Sequence, residues 1–164
     1  MDKEEILKEI KKTKEHLANM EKMLEECEYE RWEPKENETY FYVASNGMIE
    51  HDKKRDGFII DDRRYNFYNC FPTCEQAEQE AEKILIRRQL EDIARRLNKG
   101  NKIDWESESL RKYYLCVDKY NYIYSSVCYS VKYQGVVYCL DKSFKDVAIQ
   151  EIGEERLKKY LRSE

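Results

Sequence analysis

The sequence predicts an α+β protein, an N-terminal coiled-coil helix followed by two antiparallel β-meander-plus-helix units. Three observations point there. Apolar residues near the N-terminus recur at alternating spacings of four and three, the seam of a coiled coil. Aromatic and β-branched runs broken by turn residues occur twice, each closing on a helical pattern. The two halves also share an offset of 73 residues, since Trp32 precedes Tyr40-Phe41-Tyr42 by the interval at which Trp105 precedes Tyr113-Tyr114-Leu115. Such internal self-similarity points to a repeated unit. The units expected are residues 1–30 for dimerisation, 31–100 for the first meander and helix, and 101–164 for the second.

In the first segment Ile10, Leu17 and Leu24 occupy a positions and Ile6, Thr13, Met20 and Cys27 occupy d positions. Ile6, Ile10, Leu17, Met20 and Leu24 are therefore the candidate dimerisation residues. Glu9 at g would face Lys14 at e of a parallel partner. Pro34 ends this segment by removing a backbone donor and disfavouring helix at Glu33. Residues 39–44 then read as a strand, Asn46-Gly47 as a hairpin turn and Met48-Ile49 as the return. Phe58-Ile59-Ile60 and the run RRYNFYN (63–69) read as further strand. After Pro72, Thr73 with Gln76 three residues on forms a capping box. The helix it opens carries Ala77, Ala81, Ile84, Leu85, Leu90, Ile93 and Leu97 and stops at Asn98-Lys99-Gly100. The second half offers strands at 113–117, 122–127 and 135–140, a cap at Ser143 and one closing helix lined by Val147, Ala148, Ile152, Leu157, Tyr160 and Leu161.

A net charge of -4 and a pI near 5.5 argue against bulk adhesion to nucleic acid or an anionic membrane. No apolar run approaches the ~18 residues of a membrane span, and MDKEEILKEIKK lacks the apolar core of a secretory signal, so a cytoplasmic location in a bacterial host cell is expected. Of the six cysteines none forms a CxxC pair, and His16 and His51 stand apart. Small reduced thiols, mostly in apolar strands, are expected, with no metal and no cofactor. Five unclustered glycines and no Gly-x-Ser-x-Gly elbow give no catalytic residue to name, and a non-enzymatic role is expected.

Recognition residues are sought instead among arginine and tyrosine, which are enriched in binding hot spots. Arg63, Arg64, Tyr65 and Tyr68 form one candidate group. Read as a strand, Arg63, Tyr65 and Phe67 share one face and Arg64, Asn66 and Tyr68 the other. Such a face could stack a base and grip a phosphate, meet a protein, or simply be scaffold. Tyr122 and Tyr124, in the tyrosine-rich run 113–140, form the second candidate group. A sheet cannot bury so many hydroxyls without partners, so its outer face either meets another molecule or packs on the other half or on a second subunit.

Trp32 and Pro34 beside an acidic helix, the Asn46-Gly47 turn, and the run Arg64, Asn69, Phe71, Thr73, Glu75, Ala77, Glu78 resemble small uncharacterised proteins of phages and prophages of Gram-positive bacteria. The ending at residues 152–161 is similar too, while Asn37-Glu38 stands where those proteins carry Gly-Glu. The resemblance implies a phage context and no site residues. It leads to the expectation of a non-catalytic binding protein that inhibits a host defence protein, anti-CRISPR action being one form. The alternative is a sponge that sequesters a nucleotide immune signal through arginine and aromatic side chains, and a third possibility is nucleic-acid binding. A homodimer with no membrane association is expected in each case.

Overall fold

A computed structural model describes residues 6, 9–17, 20 and 31–163 of the chain. It is mixed α and β. Residues 9–17 are helical (α1). There follow β1 (Thr39–Val43), β2 (Ile49–Lys53), α2 (Ile59–Asn66), α3 (Cys74–Leu97), β3 (Lys112–Val117), β4 (Ile123–Cys128), α4 (Phe144–Ile152) and α5 (Glu154–Ser163). The strands form two separate antiparallel hairpins, β1 with β2 and β3 with β4.

In the single chain the seam residues Ile6, Ile10, Leu17 and Met20 are all exposed, and Thr13 turns its hydroxyl onto the carbonyl of Glu9. Leu24 and Cys27 lie outside the described residues.

The first hairpin forms where expected, but its loop is residues 45–47 instead of the two-residue Asn-Gly turn: the N–H of Ala44 donates to the carbonyl of Met48, that of Gly47 to the carbonyl of Ala44, and only Gly47 (φ 83°) is left-handed. The next segment does not. Residues 59–66 are a helix, which corrects the strand expected over Phe58–Ile60 and RRYNFYN. Charge order explains this: Asp61 and Asp62 sit in the first turn and Arg63 and Arg64 in the last, the arrangement a helix dipole favours. Asp61 and Arg64 also meet across one helical turn at 3.8 Å. The helix closes on Tyr68 at φ 58°, whose N–H donates to the carbonyl of Tyr65 while that of Asn69 donates to Arg64. This is a Schellman closure with tyrosine where glycine is usual. Only Phe71 keeps a strand role, exchanging both backbone hydrogen bonds with Phe41 at 2.9 Å.

Thr73 caps α3 as expected, its hydroxyl accepting from the N–H of Gln76 at 3.3 Å. Asn98 ends the helix, and Lys99 at φ 51° makes the left-handed closure. The apolar face differs in detail, because Leu85 is exposed while Ile86 and Ala94 are buried. Ile86, Leu90, Ile93 and Ala94 pack with Leu115 and Ile123 of the second hairpin and with Phe144, Ala148, Ile152, Leu157 and Tyr160. This is the main core. A smaller cluster of Tyr40, Tyr42 and Cys70 is covered by Trp32, Ala44 and Tyr65.

Two further corrections concern the second half. The strand expected at 135–140 shrinks to one bridge, Cys139 with Tyr113, because the turn at Gly135 (φ 83°) leads into irregular chain. The single closing helix is two, split at Gly153, whose φ of 97° no helix accommodates. Ser143 stands at the cap position of α4, but its hydroxyl donates to Asp141 instead of capping.

Both halves share a local plan. The first strand of each hairpin is flanked on its other edge by the residue that leads into the next helix, Phe71 beside Phe41 and Cys139 beside Tyr113. Among the described residues, no helix is long and apolar enough to cross a membrane.

Candidate protein-binding surface

The twin arginines separate as soon as their segment coils. Arg63 is exposed. Arg64 points inward with its side chain 21% exposed, donating to the Tyr40 hydroxyl at 2.7 Å and to Asp52 at 3.2 Å. Its guanidinium also stacks on the Tyr42 ring at 3.6 Å. Beneath it lies Asp61, side chain 0% exposed, which accepts from the Tyr40 hydroxyl at 2.7 Å and from the backbone N–H of Arg55 at 2.9 Å. A buried carboxylate survives only where such donors satisfy it. Burial lifts the Tyr40 hydroxyl well above the usual phenol range. The N–H of Lys53 and then the nearby guanidinium of Arg64 hold Asp52 below the usual carboxylate range. Arg64 therefore binds α2 to the first hairpin through its Nη1 and the stack on Tyr42.

Tyr65 and Tyr68 are positioned by a residue the sequence did not single out. The Arg31 guanidinium lies between their rings, 3.8 and 3.9 Å from the two centroids, and donates to the carbonyl of Tyr65. A cleft of about 610 Å³ opens beside it, lined by Arg31, Trp32, Tyr68, Cys70, Phe71, Pro72 and Gln76. No signal in the sequence could have linked Arg31 to partners so distant along the chain.

A larger groove, about 800 Å³, runs between the first hairpin turn, Phe67-Tyr68-Asn69 and α3. Glu78, Glu80 and Glu82 line it against the single cation Arg88. Two of these carboxylates are paired, Glu82 with Arg156 at 2.6 Å and Glu80 with Lys83 at 4.0 Å. Asn69 shapes the inner wall: its amide accepts from the N–H of Val43 at 2.8 Å and donates to the carbonyl of Val43 at 2.9 Å, so a side chain continues the strand ladder that Phe71 begins.

Tyr122 and Tyr124 lie on a surface of another kind. Tyr120, Tyr122, Tyr124, Tyr129 and Tyr133 are exposed, Tyr122 to 67%, as are Val127 and Val131, although along β4 Tyr124 and Val127 turn to opposite faces. The second hairpin and its following loop carry them all. The scaffold behind is well determined. Tyr114 packs against Tyr133 and Tyr138, and Trp105 meets Tyr138 edge-on at 4.9 Å. The fully buried Lys112 anchors the loop by donating to the carbonyls of Ser107, Leu110 and Tyr129. This holds a set of amphipathic rings on a fixed support, at low entropic cost to a partner.

Three of the five described cysteines, Cys70, Cys128 and Cys139, are buried, Cys116 is half-buried and Cys74 is exposed; all five are free thiols. Among the described residues, no group of three or more His, Cys, Asp or Glu is placed to hold a metal ion. Comparison with protein-family models, curated proteins and solved structures finds no match to this chain.

Proposed function

We propose that the protein is a non-catalytic, phage-encoded binding protein that blocks a host defence component, and that the tyrosine surface of the second hairpin makes the contact. The observation that carries this is the concentration of exposed tyrosine and valine between Tyr120 and Tyr133. Tyrosine is favoured at the centre of protein interfaces, and lysine and acidic groups are depleted there. Only Lys132 adds a charge between Asn121 and Tyr133.

The test is capture of a protein from lysate of a defence-carrying bacterium, followed by a measured affinity for the captured protein. Replacing Tyr122 and Tyr124 together with alanine should weaken that affinity by about 2 kcal/mol or more, with folding intact because both rings are exposed. Phe67→Ala, on a different face and equally exposed, should leave it unchanged. Equal loss from both variants would argue against a specific surface. A nucleotide sponge is the second reading, favoured by the cleft at Arg31, Trp32 and Tyr68. It requires that the purified protein carry a nucleotide detectable by mass spectrometry and lose it on Arg31→Ala.

A further inference from the structure

The two units turn the same backbone groups outward at the same point of their hairpins and satisfy them differently. In an antiparallel ladder a residue's N–H and C=O point to the same side, and the side alternates along the strand. Phe41 exchanges both groups with Phe71, so those of Val43, two residues on in β1, face the same way. Asn69, two residues before Phe71, meets them with its side chain, accepting from the Val43 N–H at 2.8 Å and donating to the Val43 carbonyl at 2.9 Å. In the second unit Tyr113 exchanges both groups with Cys139, and the unbroken register of β3 on β4 turns those of Leu115 to that same side. Val137 stands two residues before Cys139, where the first unit has Asn69. A valine side chain has nothing to donate or accept.

Leu115 is only 7% exposed, and among the described residues no hydrogen bond reaches its outward N–H or C=O. A buried donor and acceptor left unmet are costly and call for an explanation. Both point to the side on which residues 137–139 return, and there a cavity of about 400 Å³ has residues 114–117 and 134–137 in its walls and reaches the buried Leu90 and Phe144. None of the residues lining it is charged, although Asp, Glu, Lys and Arg make up 39% of the chain and the groove beside Phe67 and the cleft beside Trp32 both carry charge. Such walls admit a neutral occupant and penalise an ion.

We infer that this cavity binds a small neutral molecule that presents a carboxamide to the backbone of Leu115 and an apolar ring to Leu90 and Phe144. The first unit supplies the chemistry of the polar end. There one carboxamide, with donor and acceptor side by side, satisfies both groups of Val43, and Leu115 offers the same pair. A primary amide or a ring amide has that edge, whereas a carboxylate has no donor. The depth of the cavity requires an apolar body behind the amide, and its volume lies in the range of small-ligand sites. An added β-strand fits less well, because Cys139 already takes the Tyr113 pair and cuts the free edge short. Tyr124 belongs both to this cavity and to the tyrosine surface, but the site needs no protein partner.

The test titrates the isotope-labelled full chain with benzamide, a primary amide on an uncharged ring, and follows backbone amides by NMR and hydrogen exchange. The Leu115 N–H should shift, and at about ten times the Kd it should exchange about tenfold more slowly, while that of Val43 does not change. N,N-dimethylbenzamide, which keeps the ring and loses the donor, should bind about tenfold more weakly or worse. So should N-acetylasparagine methylamide, which keeps the carboxamide and loses the ring. Val137→Asn should act as Asn69 does, slowing the Leu115 amide without any ligand and abolishing benzamide binding. If that variant does not fold, the comparison of benzamide with N,N-dimethylbenzamide on the parent chain decides. No shift at Leu115, equal binding of the dimethyl compound, or a Leu115 amide that exchanges as slowly as that of Val43 before any addition would overturn the inference. Equal binding of the asparagine derivative would overturn the small-molecule assignment in favour of a protein side chain.

Discussion

Replacing Arg64 with alanine should destabilise the fold, and replacing its neighbour Arg63 should not. Arg64 donates to the Tyr40 hydroxyl and to Asp52 and stacks on Tyr42, with its side chain only 21% exposed. A hydrogen bond involving a charged group contributes about 1.5–3 kcal/mol, a partly desolvated cation–π contact about 1 kcal/mol, and the ion pair to the half-exposed Asp52 under about 1 kcal/mol. These overlap in one side chain. Asp61 keeps Tyr40 and Arg55 after the substitution, so the full cost of orphaning a buried charge, about 3–5 kcal/mol, does not apply. A loss of about 2–4 kcal/mol is expected.

Urea unfolding followed by circular dichroism reads this directly. With a slope of about 1–3 kcal/mol per molar, the midpoint for Arg64→Ala should fall by about 1–2 M. Arg63→Ala should stay within about 0.5 kcal/mol of the parent chain, as surface substitutions do. Equal effects of the two substitutions, or an Arg64→Ala midpoint matching the parent, would mean that α2 is not held to the first hairpin as described.

Three other outcomes are expected. Asn69→Ala should cost about 1–3 kcal/mol, since it strips both backbone groups of Val43 of their partners; Asn69→Asp keeps the acceptor but sets a carboxylate oxygen against the Val43 carbonyl, and should not recover the loss. Of the described cysteines, Cys74 should react first with a thiol reagent at pH 8. Cys70, whose thiol burial pushes up to about 11, should react with Cys128 and Cys139 only on unfolding. On acidification, Asp52 and Asp141 are both held below the usual carboxylate range, each first by a backbone N–H, of Lys53 and Ser143. Their contribution is present above the unfolded carboxylate pKa of about 4 and lost as pH falls through the lowered values. Asp52→Asn should flatten that acid limb in a pH series of urea midpoints.

Where the sequence was legible, the signal was local. Thr73, Asn46-Gly47 and Asn98-Lys99-Gly100 act through their own backbone, and each marks a cap, turn or helix end where it was read, though the hairpin loop has three residues instead of two and only the Thr73 half of the capping box forms. Misreadings arose where residue type and residue order disagreed. RRYNFYN looks like a strand by its aromatics, but the order Asp-Asp-Arg-Arg that runs into it sets acids in the first turn and bases in the last turn of one short helix. The break at Gly153 was also visible, since Glu154 and Glu155 behind it form a fresh acidic first turn. Arg31 and Lys112 were not legible. Their partners are far away or are backbone carbonyls, and nothing in sequence distinguishes them from solvated surface cations.

The two units use one plan to different ends, and the contrast argues for where function resides. In the first, several polar groups that could recruit another molecule are turned on the chain itself: Arg64 into Tyr40 and Asp52, Asn69 into the open ladder position at Val43, Asp52 onto the edge amide of Lys53. In the second, the ladder position corresponding to Val43 is Leu115, two residues past the Tyr113 bridge, and no amide side chain reaches it. A cavity of about 400 Å³ opens there instead, lined by Leu115, Val117, Val137 and Tyr160 among others. The adjoining edge strand is uncharged and its tyrosines face water. On the proposed function, substitutions that impair binding without impairing folding should fall between Tyr113 and Tyr138, whereas a nucleotide held beside Arg31 would place them in the first unit.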